Sequence, residues 1–475
     1  METTPSPLGF IERFNNWIRE SIMIKLFSIG FLIIVLLIPA NLIEELIQER
    51  HSRADEAVRE ITSKWSADQR VTGPILVIPY KKWKPSLAPG GAPMETIAKA
   101  YFLPEELAIN AAIDPELRHR GIFDAVVYTS KIELTSTFVK PNFTTLGIRD
   151  EDIRWTDAHL VVGINDLRGI SDNPSLLIGP IPHQAEPTSD IGLSADDEDV
   201  KQTSESTYLV DDPRKIPGIV TKLNWSGPEN FQEKMALKIS LRGSDRIAFT
   251  PTGKTTDVKV SGRWGSPSFD GSFLPKATNI TDTAFDASWK ILHFNRPFSQ
   301  QWVQSKKSGE ALEGADFGVS LFIPADQYQQ TTRTAKYAIL MILLTFMSLF
   351  LVEITQKVRI HPFQYILIAA ALIIYYTLLL SFSEQMGYYI AYIIASISTI
   401  ALIGFYSKSF LHGKLSVLLS GLLAIFYAFI FVIIFEQDYS LLIGSIGLFT
   451  IVAMLMYFSR KVKWYDEKKS PVVEA

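Results

Sequence analysis

Side chains able to do chemistry are plentiful in this 475-residue chain, but few are spaced for it. The seven histidines are His51, His119, His159, His183, His293, His361 and His412. No two lie four apart, so the sequence has neither a helical two-histidine metal site nor an HExxH zinc motif. They read as solitary surface or packing residues. Gly253-Lys254-Thr255 imitates the end of a phosphate-binding P-loop, yet the upstream position that needs Gly holds Ala248. Asp196-Asp197-Glu198-Asp199 offers oxygen ligands suited to calcium. It lacks the alternating ligands and the turn-forming Gly of such a loop, and reads as a solvated acidic stretch. The chain has no cysteine, which excludes disulfides, thiolate-bound zinc, iron–sulfur clusters and thiol nucleophiles. Neither a GxSxG nor a GxGxxG motif occurs. No catalytic, cofactor-binding, metal-binding or ligand-binding residue is assigned on this basis, and the expectation is a protein that is not an enzyme.

The elements that would position any site divide sharply by charge. Residues 335–459 carry nine charged side chains in 125, whereas the other 350 carry 87. The mean hydropathy of +0.15 is therefore a mixture of a polar domain and a membrane block. Six windows reach the roughly 20 apolar residues that a membrane-crossing helix needs: 22–42, 337–355, 363–382, 387–407, 415–435 and 441–459. Lys25 is close enough to one end of the first window to extend its ammonium to the headgroups, and Pro39 is near the other. An uncleaved signal anchor is preferred over a cleaved signal peptide there, because Pro39-Ala40-Asn41-Leu42 lacks a small-x-small site. Lys357 and Arg359, Lys408 and Lys414, and Arg460, Lys461 and Lys463 occupy alternate loops, while Glu384, Glu436 and Asp438 occupy the others. The positive-inside rule then puts both termini in the cytoplasm and the long segment between the first two spans outside it. Arg333 and Lys336 run against this trend, which long translocated domains tolerate.

The membrane windows lack mid-span ionisable groups, with Glu353 near a cytoplasmic end, which disfavours an ion-coupled transporter. Small residues recur at spacing four, in Gly387, Ala391 and Ala395 and again in Ser416, Ser420, Ala424 and Ala428. They predict close helix packing within the subunit in preference to oligomerisation. Tyr375 and Tyr376 are too deep in their span to belong to an interfacial aromatic belt.

The outer segment changes period. Residues 44–69 suit an amphipathic helical stalk. The apolar run 73–80 reads as a buried strand. Alternation at Ile132, Leu134, Ser136 and Phe138 predicts sheets with one packed and one wet face. The same pattern recurs at Leu160–Ile164, Met235–Leu241, Val258–Val260, Phe285–Ile291 and Phe317–Leu321. The stretch 182–214 is the longest expected loop. Asp326 would N-cap a helix running unbroken into the second span, holding the domain upright or transmitting its movement. The fold class expected is an α+β membrane protein. Six transmembrane helices, one N-terminal and five C-terminal, flank a large β-rich, sandwich-like periplasmic domain. Its parts are 1–21 (cytoplasmic), 22–42 (first span), 43–334 (outer domain), 335–459 (five-helix bundle) and 460–475 (cytoplasmic tail).

Several stretches in order resemble the CreD family of bacterial inner-membrane proteins. They include Val71-Thr72-Gly73-Pro74, Asp166-Leu167-Arg168-Gly169-Ile170, Pro267-Ser268-Phe269, Phe273-Leu274-Pro275 and Pro324-Ala325-Asp326-Gln327-Tyr328. Thr334 to Leu340, Leu344 to Met347, His361-Pro362, Ser383-Glu384 and Ala395-Ser396-Ile397 continue the series. The resemblance implies an inner-membrane protein with a large periplasmic domain, associated with envelope integrity and a two-component regulatory system. It implies no catalytic residues and no cofactor.

The function expected is a non-enzymatic contribution to envelope integrity and stress response. The alternatives are a transporter or lipid-handling permease, with a cavity lined by Ser381, Ser383, Ser396 or Ser398, and a sensor acting with a partner. The partners expected are the lipid bilayer and an envelope component or membrane protein. A net charge of −4 gives no electrostatic case for nucleic acid.

Overall fold

A computed structural model describes residues 22–84, 93–193, 215–303, 312, 314–321, 323, 327–356, 358, 360–436 and 439–460. The acidic run at Asp196, the N-cap at Asp326, Lys357, Arg359, Asp438, Lys461, Lys463 and the side chain of Lys25 lie outside the described residues. The chain forms two compact units, the first Met1–Asp55 with Ala325–Ala475 and the second Glu56–Pro324.

Helix α1 spans Ile22–Trp65 without interruption, so Pro39 is in a helix interior and not near an end as expected. The sequence on both sides keeps the helix going. Apolar residues precede Pro39, and ion pairs at helical spacing follow it, Arg53 with Glu49 at 2.6 Å and Lys64 with Glu60 at 2.7 Å.

In the first unit, α1 is joined by α2 (Gln327–Lys336), α3 (Ala338–Gln356), α4 (Pro362–Met386), α5 (Tyr388–Ser407), α6 (Gly413–Phe435) and α7 (Ser440–Ser459). Among the described residues, α1 and α3 to α6 are long and apolar enough to cross a bilayer, and Ser440–Met454 forms a shorter apolar stretch. The expected unbroken entry into the second span is corrected: α2 and α3 are separate helices that meet at Tyr337. There the backbone tightens, with Tyr337 N–H bonding to Thr334 O at 3.0 Å. The hydroxyls of Thr331 and Thr334 donate to the carbonyls of Gln327 and Gln330, a pattern that bends helices. His361 and Gln364 form a reciprocal cap at the start of α4, with Pro362 in the first turn.

The second unit is a two-sheet sandwich. Its strands in chain order are β1 (Gln69–Lys84), β2 (Met94–Phe102), β3 (Glu106–Arg120), β4 (Phe123–Thr137), β5 (His159–Ile164) and β6 (Ser175–Ile178). Next come β7 (Ile181–His183), β8 (Glu186–Thr188), β9 (Gly218–Lys222), β10 (Lys234–Ser244), β11 (Arg246–Thr250) and β12 (Thr255–Gly262). The last are β13 (Pro267–Gly271), β14 (Ala277–Ile280), β15 (Phe285–Leu292), β16 (Gln301–Val303) and β17 (Phe317–Leu321). One sheet has nine strands in the order β13-β17-β11-β1-β5-β9-β8, with β2 paired to β1 and β16 to β2. The other has eight in the order β14-β15-β12-β3-β4-β10-β6-β7.

The apolar run in β1 is buried because the centre of its sheet is covered on both faces. Leu76 and Ile78 join the core between the sheets, while Ile75 and Val77 pack on the other side with Tyr101, Ile191, Leu193 and Leu312. Gly73 stands at φ 118°, its peptide to Pro74 is cis, and the β1–β5 register shifts at this point. Before this bulge β1 pairs with β11 in parallel; after it β1 pairs with β2 antiparallel. The eight-stranded sheet alternates as the sequence predicts. In β3, Leu107, Ile109, Ala111 and Ile113 are buried, whereas Glu106, Asn110, Ala112 and Asp114 are exposed.

Candidate functional site

The motif Asp166-Leu167-Arg168-Gly169 closes the C-terminal end of α1 within the sandwich unit. Helix ends leave carbonyls and nearby amides without intrahelical partners. Arg168 Nη1 donates to the Ser63 carbonyl at 2.8 Å, answering one of those carbonyls. The Asp166 carboxylate accepts from Ala67 N–H at 3.0 Å and from Ser66 Oγ at 3.1 Å, and is itself bound by the Arg168 guanidinium. Burial opposes ionisation of Asp166. The arginine and the backbone N–H groups of Ala67 and Arg168 outweigh it and hold its pKa at about 2. Gln69 is fully buried, and its amide nitrogen donates to Ser66 Oγ, Asp166 O and Arg242 O. Gly169 has no room for a side chain: a Cβ would lie 2.3 Å from both Arg242 O and Gln69 Nε2. Trp65, the last residue of α1, is flanked by the guanidinium groups of Arg118 and Arg242, 4.8 and 5.2 Å from the ring.

In the membrane unit, three helices converge on one carboxylate. Glu384, near the end of α4, takes a two-pronged bond from Arg50 of α1 at 2.7 and 2.6 Å. Tyr328 of α2 donates its hydroxyl to the same carboxylate at 3.0 Å. Burial, then this bond to Glu384, pushes the Tyr328 phenol upward. His51 meets the Tyr328 ring edge-on at 5.7 Å. Below this node, Thr334 shares a 2.6 Å hydrogen bond with Tyr388, and Tyr375, Tyr376, Tyr392 and Tyr427 form a buried aromatic cluster. Glu353 stays near the end of α3, but its carboxylate is turned inward, 4% exposed, and accepts from Tyr365 at 3.1 Å.

The open face of the eight-stranded sheet carries the broad concavities of the sandwich unit. Three adjoin along β3, of about 600, 590 and 480 Å³. Their shape follows from residue size. The outward residues of β3 include Ala108, Asn110 and Ala112, while β4 and β12 on either side present Lys131, Glu133, Asp257 and Lys259. Small side chains on one strand between longer ones on its neighbours make a trough.

The residues singled out from sequence are scattered. Lys254 of the P-loop look-alike pairs with Glu105 at 2.6 Å. His119 contacts Asp124 at 2.5 Å, His361 caps α4 and His51 stands beside Tyr328. Ser383 and Ser396 are buried, whereas Ser381 and Ser398 are exposed, so these four do not line one cavity. The small residues pack helices only in part: Ala391 and Ala395 are fully buried and Ser416 bonds to Ser407 and to the Gly404 carbonyl, whereas Gly387, Ala424 and Ala428 are exposed. Sequence reasoning missed the Arg50–Glu384 pair and the β3 trough. For the trough a signal existed, since β3 alternates Leu107, Ile109, Ala111 and Ile113 with small or polar residues.

A family model described as Inner membrane protein CreD matches residues 21–465. Inner membrane protein CreD of Escherichia coli (strain K12) is 28% identical over 457 residues, covering 94% of this chain and 95% of that protein.

Proposed function

The chain belongs to the CreD family of inner membrane proteins, and from that premise we propose that it is a non-enzymatic module contributing to envelope integrity and stress response. In this reading the bundle crosses the membrane six times, both termini are cytoplasmic, and the sandwich is periplasmic. The observation that supports it most is the asymmetry of the sandwich. Around its central strands β1 and β5 one sheet is buried on both faces, while the other leaves a long polar face in solvent. Such a face suits recognition of an envelope component. The test is a deletion strain challenged with detergent and osmotic stress, complemented by the intact gene or by a version lacking 69–321. Sensitivity rescued only by the intact gene is the expected outcome. Wild-type resistance of the deletion strain under every stress would end the proposal.

A second reading, as a permease, rests on the burial of Glu353 alone, which is near the end of α3 and accepts from Tyr365. A Glu353→Gln variant that folds and inserts, yet fails to complement, is expected if this reading holds.

A further inference from the structure

The trough along β3 carries chemistry that the envelope reading leaves unspecified. Its floor is Ala108, Asn110 and Ala112, exposed or half-exposed on the outward face. Register places Lys131 of β4 beside Ala112 and Lys259 of β12 beside Asn110. Strands about 4.8 Å apart, with an offset of two residues along β3, put these two lysines diagonally on opposite walls, about 12 Å from one another at their backbones. Among the described residues neither ammonium has an ion-pair partner, although Glu133 close by is taken by Lys238 at 2.7 Å. Lys131, Lys259, Asn110, Ser261 and Ser288 all border the 600 Å³ section of the trough.

The trough is on a sheet face, so its backbone N–H and C=O groups are already used in the β3–β4 and β3–β12 ladders. A polypeptide adding as an extra strand needs free ladder groups at an edge and finds none here. Recognition must come from side-chain amines, amides, hydroxyls and carboxylates. Amides, hydroxyls and the nearby Asp257 and Asp286 suit the many hydroxyls of a sugar chain, and the unpaired lysines suit acidic groups on it. From Ala108 to Ala112 the floor runs about 14 Å, at about 3.4 Å per residue, enough for a short oligosaccharide.

We propose that the trough along β3, walled by Lys131 and Lys259, binds an acidic glycan chain. The proposal rests on the envelope reading only in treating the sandwich as a recognition module. Its test is separate from the deletion phenotype, being binding in vitro to the full chain in detergent or nanodiscs. The probes are a hexameric polyuronate, a neutral maltohexaose and a polyaspartate peptide of matched charge, followed by calorimetry at two salt concentrations. Expected is salt-sensitive binding of the polyuronate, with the neutral sugar and the peptide at least about tenfold weaker, a difference of about 1.4 kcal/mol. The double variant Lys131→Gln/Lys259→Gln loses about tenfold in polyuronate affinity. Ala112→Trp, which fills the floor, abolishes binding. Both changes are on exposed positions, and an unchanged melting temperature shows that the fold survives. No polyuronate binding, equal binding of polyaspartate, or full affinity in either variant overturns the proposal. If the deletion phenotype is present but polyuronate does not bind, the glycan assignment fails while the envelope reading stands.

Discussion

Two carboxylates hold the ends of long-range contacts, and each can be tested by itself. Asp166 has a depressed pKa, so its contribution to stability is complete above the unfolded value of about 3.9. That contribution is lost as pH falls through about 2. Amide exchange at Ala67 is therefore expected to speed up as pH drops through this window, after correction for intrinsic rates. In Asp166→Asn the protection is weakened at every pH, at a cost of about 1–3 kcal/mol for a lost charged hydrogen-bond partner. Exchange by mass spectrometry over the 63–69 peptide reads both. In the membrane unit, Arg50→Ala leaves the nearly buried Glu384 without its guanidinium. Arg50 itself is partly exposed, which keeps the expected loss modest, about 1–2 kcal/mol. Arg50→Ala with Glu384→Gln is expected to recover part of that loss, because the stranded charge is gone. Thermal unfolding of the three variants in one detergent decides it. Neither partnership is visible in local sequence, since Arg50 and Glu384 are 334 positions apart.

Elements were legible where periodicity is local, and misread where side chains from elsewhere intervene. The helices of the bundle and the strands β5, β10, β12, β15 and β17 follow from apolar runs and alternation. Strand β2 was not legible, because Met94 and Ile97 are exposed at its start and blur the alternation. The break between α2 and α3 was not legible either, since it depends on threonine hydroxyls returning to their own helix. Packing of α5 on its neighbours was anticipated from Ala391 and Ala395, both fully buried. Enlarging Ala395 to Leu is expected to destabilise the bundle by about 1–3 kcal/mol through overpacking. The same change at the exposed Ser398 is expected to have little effect. Melting temperatures in detergent separate the two.

At the scale of the molecule, the chain joins a membrane unit to a sandwich in a protein without cysteine. The sandwich relies on a core shared by its two sheets, with no disulfide. The proposed topology has a direct check in reporter fusions. Alkaline phosphatase fused after Lys140 is expected to be active, and fused after Lys408 inactive, with a cytoplasmic fluorescent reporter giving the reverse. Activity at Lys408 would invert the membrane orientation and remove the envelope reading with it.

The sequence by itself determined the division into a charge-poor helical block and a polar β-rich region, and the ordered motifs that identify the family. Both are carried by neighbours along the chain, through hydropathy and period, so no contact map is needed to read them. Only the tertiary structure decided what those motifs do. It turned Asp166-Leu167-Arg168-Gly169 into the cap of a helix that ends 101 positions earlier, at Trp65. It also made Glu384 the meeting point of three helices, and set small residues of β3 between lysines of two other strands. Those outcomes depend on register and on which faces are buried, and both are set by packing between segments far apart in the chain.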